Sequence, residues 1–106
     1  MIIAEELFDR IVALIQLDEH RAPEVTGMLY DTLKLACREA LSNNRELFGN
    51  LFSQVDYLSR KYSMHLRDVV AIQKMRSETR TGMQFPSKEL LSHARALSIF
   101  ISTIFQ

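Results

Sequence analysis

The chain has 106 residues, of which 47% are hydrophobic and 25% are charged, and its 13 basic and 13 acidic side chains cancel to a net charge of zero. Three glycines and two prolines exclude collagen-like, linker-like and disordered chains, and they are too few for the turns of a many-stranded sandwich or barrel. We therefore expect one all-α domain over residues 1–106, a compact bundle of about five helices in mostly up-and-down order.

The first two predicted helices cover residues 2–18 and 23–41. Apolar residues at helical spacing form one face of the first helix: Ile3, Leu7, Ile11, Leu14 and Ile15. Pro23 can occupy the first turn of the second helix, because its missing N–H is not needed there. The apolar stripe of the second helix consists of Val25, Leu29, Leu33, Ala36, Cys37 and Ala40.

An aromatic-rich stripe predicts a third helix after the turn residues Ser42, Asn43 and Asn44. Its apolar residues recur every three or four positions, at Leu47, Phe48, Leu51, Phe52, Val55 and Leu58. We expect this stripe to lie in the core.

Ser63 is the expected N-cap of a fourth helix, which Gly82 would end in a left-handed conformation. The apolar residues of this helix are Leu66, Val69, Val70, Ile72 and Met75. Pro86 and Ser87 are expected to begin a fifth helix, with Leu90, Leu91, Ala94, Leu97, Ile101 and Phe105 facing inward.

Apolar residues surround much of the last turns of the fifth helix. Either this end is central to the bundle, or it contacts a downstream domain of the same chain or a second copy, with Ile99, Phe100 and Ile104 as the interface. An apolar helix running up to Gln106 also predicts that the chain is the N-terminal part of a longer protein.

The chain carries no sign of secretion or membrane insertion. Cys37 is the single cysteine, and acidic residues stand where a signal peptide needs positive charge. The longest mainly apolar stretch, residues 97–105, is far shorter than the roughly 20 residues that span a bilayer. These features favour a cytoplasmic protein without a membrane partner.

The charges are unevenly distributed along the chain. Residues 1–31 contain seven acids and two bases, whereas residues 58–80 contain six bases and two acids. Such a basic segment is typical either of a solvated helix face or of a surface that contacts nucleic-acid phosphates. The candidate phosphate ligands are Arg60, Lys61, Arg67, Lys74, Arg76 and Arg80. Tyr57 and Tyr62 flank this segment and could stack on bases.

No cofactor or metal site is expected. His20, His65 and His93 have no second ligand three or four residues away, and Cys37 is expected to be an inert core residue. His93 is expected to pair with Glu89, one helical turn before it. The three glycines lie too far apart for a phosphate-binding loop.

Arg60 and His65 form an enzymatic alternative. An arginine that holds a phosphate and a histidine that moves a proton are what metal-independent RNA cleavage requires. Pairs at such spacings are expected by chance in a chain with nine arginines, and Ser63 is expected to break the helix between these two residues. Absence of catalysis is therefore the favoured prediction.

The segment from Thr32 to Phe105 resembles the HEPN superfamily of small helical domains. The resemblance lies in the helix order, in Met75-Arg76-Ser77-Glu78-Thr79-Arg80-Thr81-Gly82 ending a basic helix, and in Ala96 to Phe100 within the closing helix. It is similar in particular to HEPN-like domains at the N terminus of large bacterial helicase and restriction-type proteins. Active members carry an arginine, a polar spacer and a histidine before the closing helix, but residues 79–85 contain no histidine.

The resemblance thus implies an accessory domain without nuclease activity. The favoured prediction is a non-catalytic helical interaction domain of a larger intracellular protein that handles nucleic acid. The alternatives are a ribonuclease that uses Arg60 and His65, and a purely structural homodimerisation domain.

Overall fold

The structure, a computed structural model, describes Asp9 and residues 22–41, 49–81 and 85–105. Residues 22–41, 49–81 and 85–105 contain four α-helices and no strand: α1 (Ala22–Leu41), α2 (Leu51–Lys61), α3 (Leu66–Arg80) and α4 (Ser87–Ile104). The all-α class is confirmed for this part of the chain. The first predicted helix lies outside the described residues except for Asp9, so the total of five helices and the up-and-down order stay predictions.

α1 follows the predicted pattern closely. It contains Pro23 in its first turn and places the predicted stripe in the core. Val25, Leu29, Leu33 and Cys37 are fully buried, and Ala40 is half-buried at the edge. The predicted turn at Ser42 to Asn44 lies outside the described residues.

α2 begins later than the apolar stripe predicts. Gly49 and Asn50 are not helical, and Leu47 and Phe48 lie outside the described residues. Asn50 is the N-cap, because its Oδ1 accepts a hydrogen bond from the Ser53 N–H at 2.8 Å.

Ser63 ends α2 instead of capping α3, which corrects the sequence prediction. Its φ of 52° is left-handed, and its N–H donates to the Arg60 carbonyl at 3.2 Å. The next N–H, of Met64, donates to the Ser59 carbonyl at 2.9 Å. This pair of bonds is a Schellman motif, which closes a helix and satisfies its last carbonyls. α3 then starts after His65, whose side chain makes no capping hydrogen bond.

α3 carries apolar residues on two opposite faces. Ile72 and Met75 are buried, whereas two other apolar residues of the predicted fourth helix, Leu66 and Val70, are 77% and 59% exposed. The helix ends at Arg80 with Thr81 as C-cap, and the predicted terminator Gly82 lies outside the described residues.

α4 contributes a long buried face to the described bundle. Pro86 precedes it as predicted, and its carbonyl accepts the N–H of Leu90 at 3.1 Å. The inward stripe is buried at Leu90, Ala94, Leu97 and Ile101, while Leu91 and Phe105 are half-buried and pack against the core. α4 packs most extensively on α3 and α1, and each pair of the four helices is in contact.

α2 and α3 form an antiparallel hairpin. A loop of four residues joins them, and the side chain of Gln73 midway along α3 donates to the backbone carbonyl of Phe52 at the start of α2. We call residues 51–80 the α2–α3 hairpin. In the described part of the chain, no helix is both long and apolar enough to cross a membrane.

Candidate nucleic-acid interface

The six predicted phosphate ligands all lie on the α2–α3 hairpin. Arg60 and Lys61 occupy the last turn of α2, and the other four are distributed along α3. Five of the side chains are exposed and Arg76 is half-buried. The structure thus brings together on one hairpin the residues that the charge pattern singled out: Arg60, Lys61, Arg67, Lys74, Arg76 and Arg80.

The cations of α3 lie on both flanks of its exposed apolar residues. Arg67 and Lys74 are seven residues apart and therefore share one side of the helix, whereas Arg76 and Arg80 share the side that faces α2. Val70 lies between these two flanks. The outer face of α3 is therefore basic at its edges and apolar along its middle.

Several of these cations already contact neighbouring side chains. Arg60 Nε lies 3.3 Å from Asp56 Oδ1, and Arg67 Nε lies 4.0 Å from Asp68 Oδ1. Exposed ion pairs of this kind stabilise a protein by about 1 kcal/mol or less, so a phosphate can displace them at low cost. Lys74 and Arg80 form no ion pair with any acid in the described ranges.

Phe52, Gln73 and Arg76 form a connected group, which we call the Phe52 cluster. Gln73 Nε2 donates to the Phe52 carbonyl at 3.1 Å, and Gln73 Oε1 accepts from Arg76 Nε at 2.7 Å. The guanidinium carbon of Arg76 lies 5.3 Å from the centroid of the Phe52 ring, within cation–π range. The ring was predicted to be buried, yet Phe52 is 51% exposed.

The sequence pattern missed Phe52 as a surface aromatic and proposed two tyrosines instead. Tyr57 and Tyr62 are half-buried and pack against the hydrophobic core. The Nζ of Lys61 lies 5.5 Å from the centroid of the Tyr62 ring. No sequence signal marked Phe52, because the predicted stripe begins at Leu47 and puts Phe52 in mid-helix, whereas the structure puts it in the first turn of α2.

The two residues of the ribonuclease alternative lie close to the hairpin loop: Arg60 is in the last turn of α2, and His65 is the last residue of the loop. Arg60 is bonded to Asp56, and His65 is an exposed residue just before α3. The loop around Ser63 separates them, so no common helix face fixes their geometry.

The predicted interface residues have two different environments. Phe100 is fully buried and Ile104 is also buried, which favours the interpretation that this end of α4 is central to the bundle. Ile99 is 36% exposed. A groove of about 310 Å³ lies between α1 and the end of α4, with Leu35 and Phe105 in its lining.

Of the two buried titratable residues His93 and Cys37, His93 has a different acidic neighbour from the predicted one. His93 Nε2 lies 2.9 Å from Glu78 Oε2 of α3, so its acidic neighbour is Glu78 and not Glu89. The carboxylate is poorly aligned for a hydrogen bond to this nitrogen, and the Phe85 ring packs at right angles to the imidazole with 5.1 Å between the ring centroids. Burial raises the pKa of the Cys37 thiol to about 12, which makes it unreactive as predicted.

Within the described residues, no three His, Cys, Asp or Glu side chains are grouped to hold a metal ion. Comparisons with protein-family models, with curated proteins and with solved structures find no match to this chain.

Proposed function

We propose that this chain is a non-catalytic helical interaction domain of a larger intracellular protein, and that its α2–α3 hairpin binds nucleic-acid phosphates. The observation that carries the proposal is the basic outer face of the hairpin. Six cations lie on two adjacent helices, and Lys74, Arg76 and Arg80 have no acidic partner among the described residues.

The arrangement suits a backbone ligand better than a small anion. Arg67 and Lys74 are about 10 Å apart along α3, at 1.5 Å per residue, and Arg60 extends the surface onto α2. Charges spread over such a distance match the repeated phosphates of a strand. Neutralising those phosphates releases counterions, which makes binding strongly dependent on salt.

The absence of catalysis in this proposal is supported by the resemblance to HEPN domains. Its active members need a histidine before the closing helix, and residues 79–85 have none. The domain would then position nucleic acid for an activity located elsewhere in the longer protein. The alternatives, RNA cleavage by Arg60 and His65 and homodimerisation through the end of α4, stay predictions.

The proposal is tested by fluorescence anisotropy with labelled oligonucleotides at several salt concentrations. Charge reversal at Arg67, Lys74 and Arg80 should weaken binding to every sequence and reduce the slope of log K against log salt by roughly 2 or more, at about 0.7 to 0.9 per lost phosphate contact. These side chains are exposed, so the variant is expected to fold.

The matched control reverses three exposed cations on the other helices, Lys34, Arg38 and Lys88. It changes the net charge equally and removes no cation from the hairpin. Equal loss of binding in both variants would show a non-specific charge effect. Unchanged binding after reversal on α3 would refute the proposed surface.

A further inference from the structure

Gln73 links the backbone of Phe52 to the side chain of Arg76 on the basic surface, and the Arg76 guanidinium lies over the exposed Phe52 ring at 5.3 Å. Gln73 bonds the backbone carbonyl of Phe52 through Nε2 and the Nε of Arg76 through Oε1, at 3.1 and 2.7 Å. The cluster thus links α2 to α3 at the open side of the hairpin. The guanidinium is thus oriented by its hydrogen bond to Gln73, next to the Phe52 ring.

A large part of the Phe52 cluster stays available for a ligand. Phe52 is 51% exposed, although a phenylalanine in an amphipathic helix is usually buried. Arg76 uses its Nε–H for Gln73, and its two terminal amino groups, with four N–H donors, have no hydrogen-bond partner among the described residues. In the described ranges no carboxylate lies within ion-pair distance of this guanidinium.

An aromatic ring next to a guanidinium that has no acidic partner among the described residues fits one repeating unit of an unpaired nucleic-acid strand. The flat face of a base can stack on the ring, while the adjoining phosphate accepts hydrogen bonds from the guanidinium. Bases in a duplex are already stacked on each other, so a side chain on a helix surface reaches their faces only where the strand is single.

We infer that the Phe52 cluster is a stacking site for one unpaired base, with Arg76 holding the neighbouring phosphate, and that the ligand of the basic surface is therefore single-stranded. This inference rests on the proposed phosphate binding by the hairpin and adds the strand state of the ligand. Arg80, one turn beyond Arg76 on the same side of α3, continues the path of the strand.

The test compares a single-stranded oligonucleotide of 24 nucleotides with a duplex of about 12 base pairs, which carries a similar number of phosphates. The full chain should bind the single strand more tightly. Phe52→Leu keeps an apolar side chain but removes the aromatic face, and it should weaken single-strand binding about fivefold or more. Phe52→Tyr should keep the binding, and Leu66→Ala serves as the control for loss of another exposed apolar residue on the hairpin.

A second readout does not depend on affinity. A 2-aminopurine base placed in the single strand should change its fluorescence on binding when it leaves its neighbouring bases and stacks on the ring, and Phe52→Leu should abolish that change. Circular dichroism verifies that each variant is folded.

The outcomes separate this inference from the proposed function. If Phe52→Leu binds the single strand as tightly as the unchanged protein and with the same salt slope, the stacking site is refuted and the phosphate surface stands. Tighter binding of the duplex also refutes it. Failure of both oligonucleotides to bind refutes the stacking site together with the proposed function.

Discussion

The neighbouring residues Phe100 and Ile99 give the sharpest test of how α4 is oriented. Phe100 is fully buried among the four helices, and Ile99 is 36% exposed. Removing a fully buried phenylalanine side chain deletes its transfer free energy and leaves a cavity, so Phe100→Ala should lower the free energy of unfolding by about 3 to 5 kcal/mol. For a domain of this size, that corresponds to a fall in Tm of at least roughly 12 °C.

Ile99→Ala provides the comparison one residue away on the same helix. It removes a partly exposed side chain and gains helix propensity, so its cost should be about 1 kcal/mol or less. Urea unfolding followed by circular dichroism measures both values at low protein concentration, where association is weak. If Phe100→Ala leaves too little folded protein, Phe100→Leu should still cost roughly 1 to 2 kcal/mol more than Ile99→Ala.

A loss of dimer formation without a loss of stability in Phe100→Ala would show that Phe100 is an interface residue. If Phe100→Ala unfolds at the same urea concentration as the unchanged protein but loses a dimer in sedimentation equilibrium, Phe100 lies at an interface. The orientation of α4 described above would then be refuted.

Three further perturbations test individual residues. In the folded chain the pKa of Cys37 is raised from 9.0 to about 12, so the stability that comes from keeping this thiol neutral is complete below pH 9 and is lost as the pH rises towards 12. Urea unfolding between pH 9 and 10.5 should therefore show a decline that steepens to about 1.4 kcal/mol per pH unit and is missing in Cys37→Ala; equal declines in the two proteins would contradict this. Ser63→Gly should stabilise the chain by up to about 1 kcal/mol, because glycine tolerates the left-handed φ of 52° without the steric cost of a Cβ; a destabilised variant in thermal unfolding would argue against the Schellman motif. His65→Ala should leave the chain unable to cleave RNA, as it is before the change, in an assay with labelled RNA and EDTA; cleavage by the unchanged protein that disappears in this variant would favour the ribonuclease alternative.

The amino-acid sequence by itself determined the helical class and the position of the two longest helices. The stripes of α1 and α4 recur at three and four residues over 20 and 18 positions, and each has one apolar face. A single apolar face can be buried in one way, so periodicity sufficed to identify Leu29, Leu33, Leu97 and Ile101 as core residues. Charge counting likewise identified the basic segment, because a cation is rarely buried without a partner.

Tertiary structure alone decided which apolar residues of α2 and α3 remain on the surface. α3 has apolar residues on opposite faces, and periodicity could not tell whether Ile72 or Val70 points inward. The exposure of Phe52 depends on the register of α2 against α3. The hydrogen bond from Gln73 to the Phe52 carbonyl, which joins residues 21 positions apart in the sequence, shows this register.

The neighbour of His93 was also decided by tertiary packing. The local pattern indicated Glu89 on the same helix, yet the imidazole lies against Glu78 of α3. Contacts between helices depend on how their faces pack together, and no spacing within one helix encodes them. The candidate site was likewise only partly visible in the sequence. Charge counting identified its cations, whereas the packing of α2 on α3 decides that the Phe52 ring lies exposed among them.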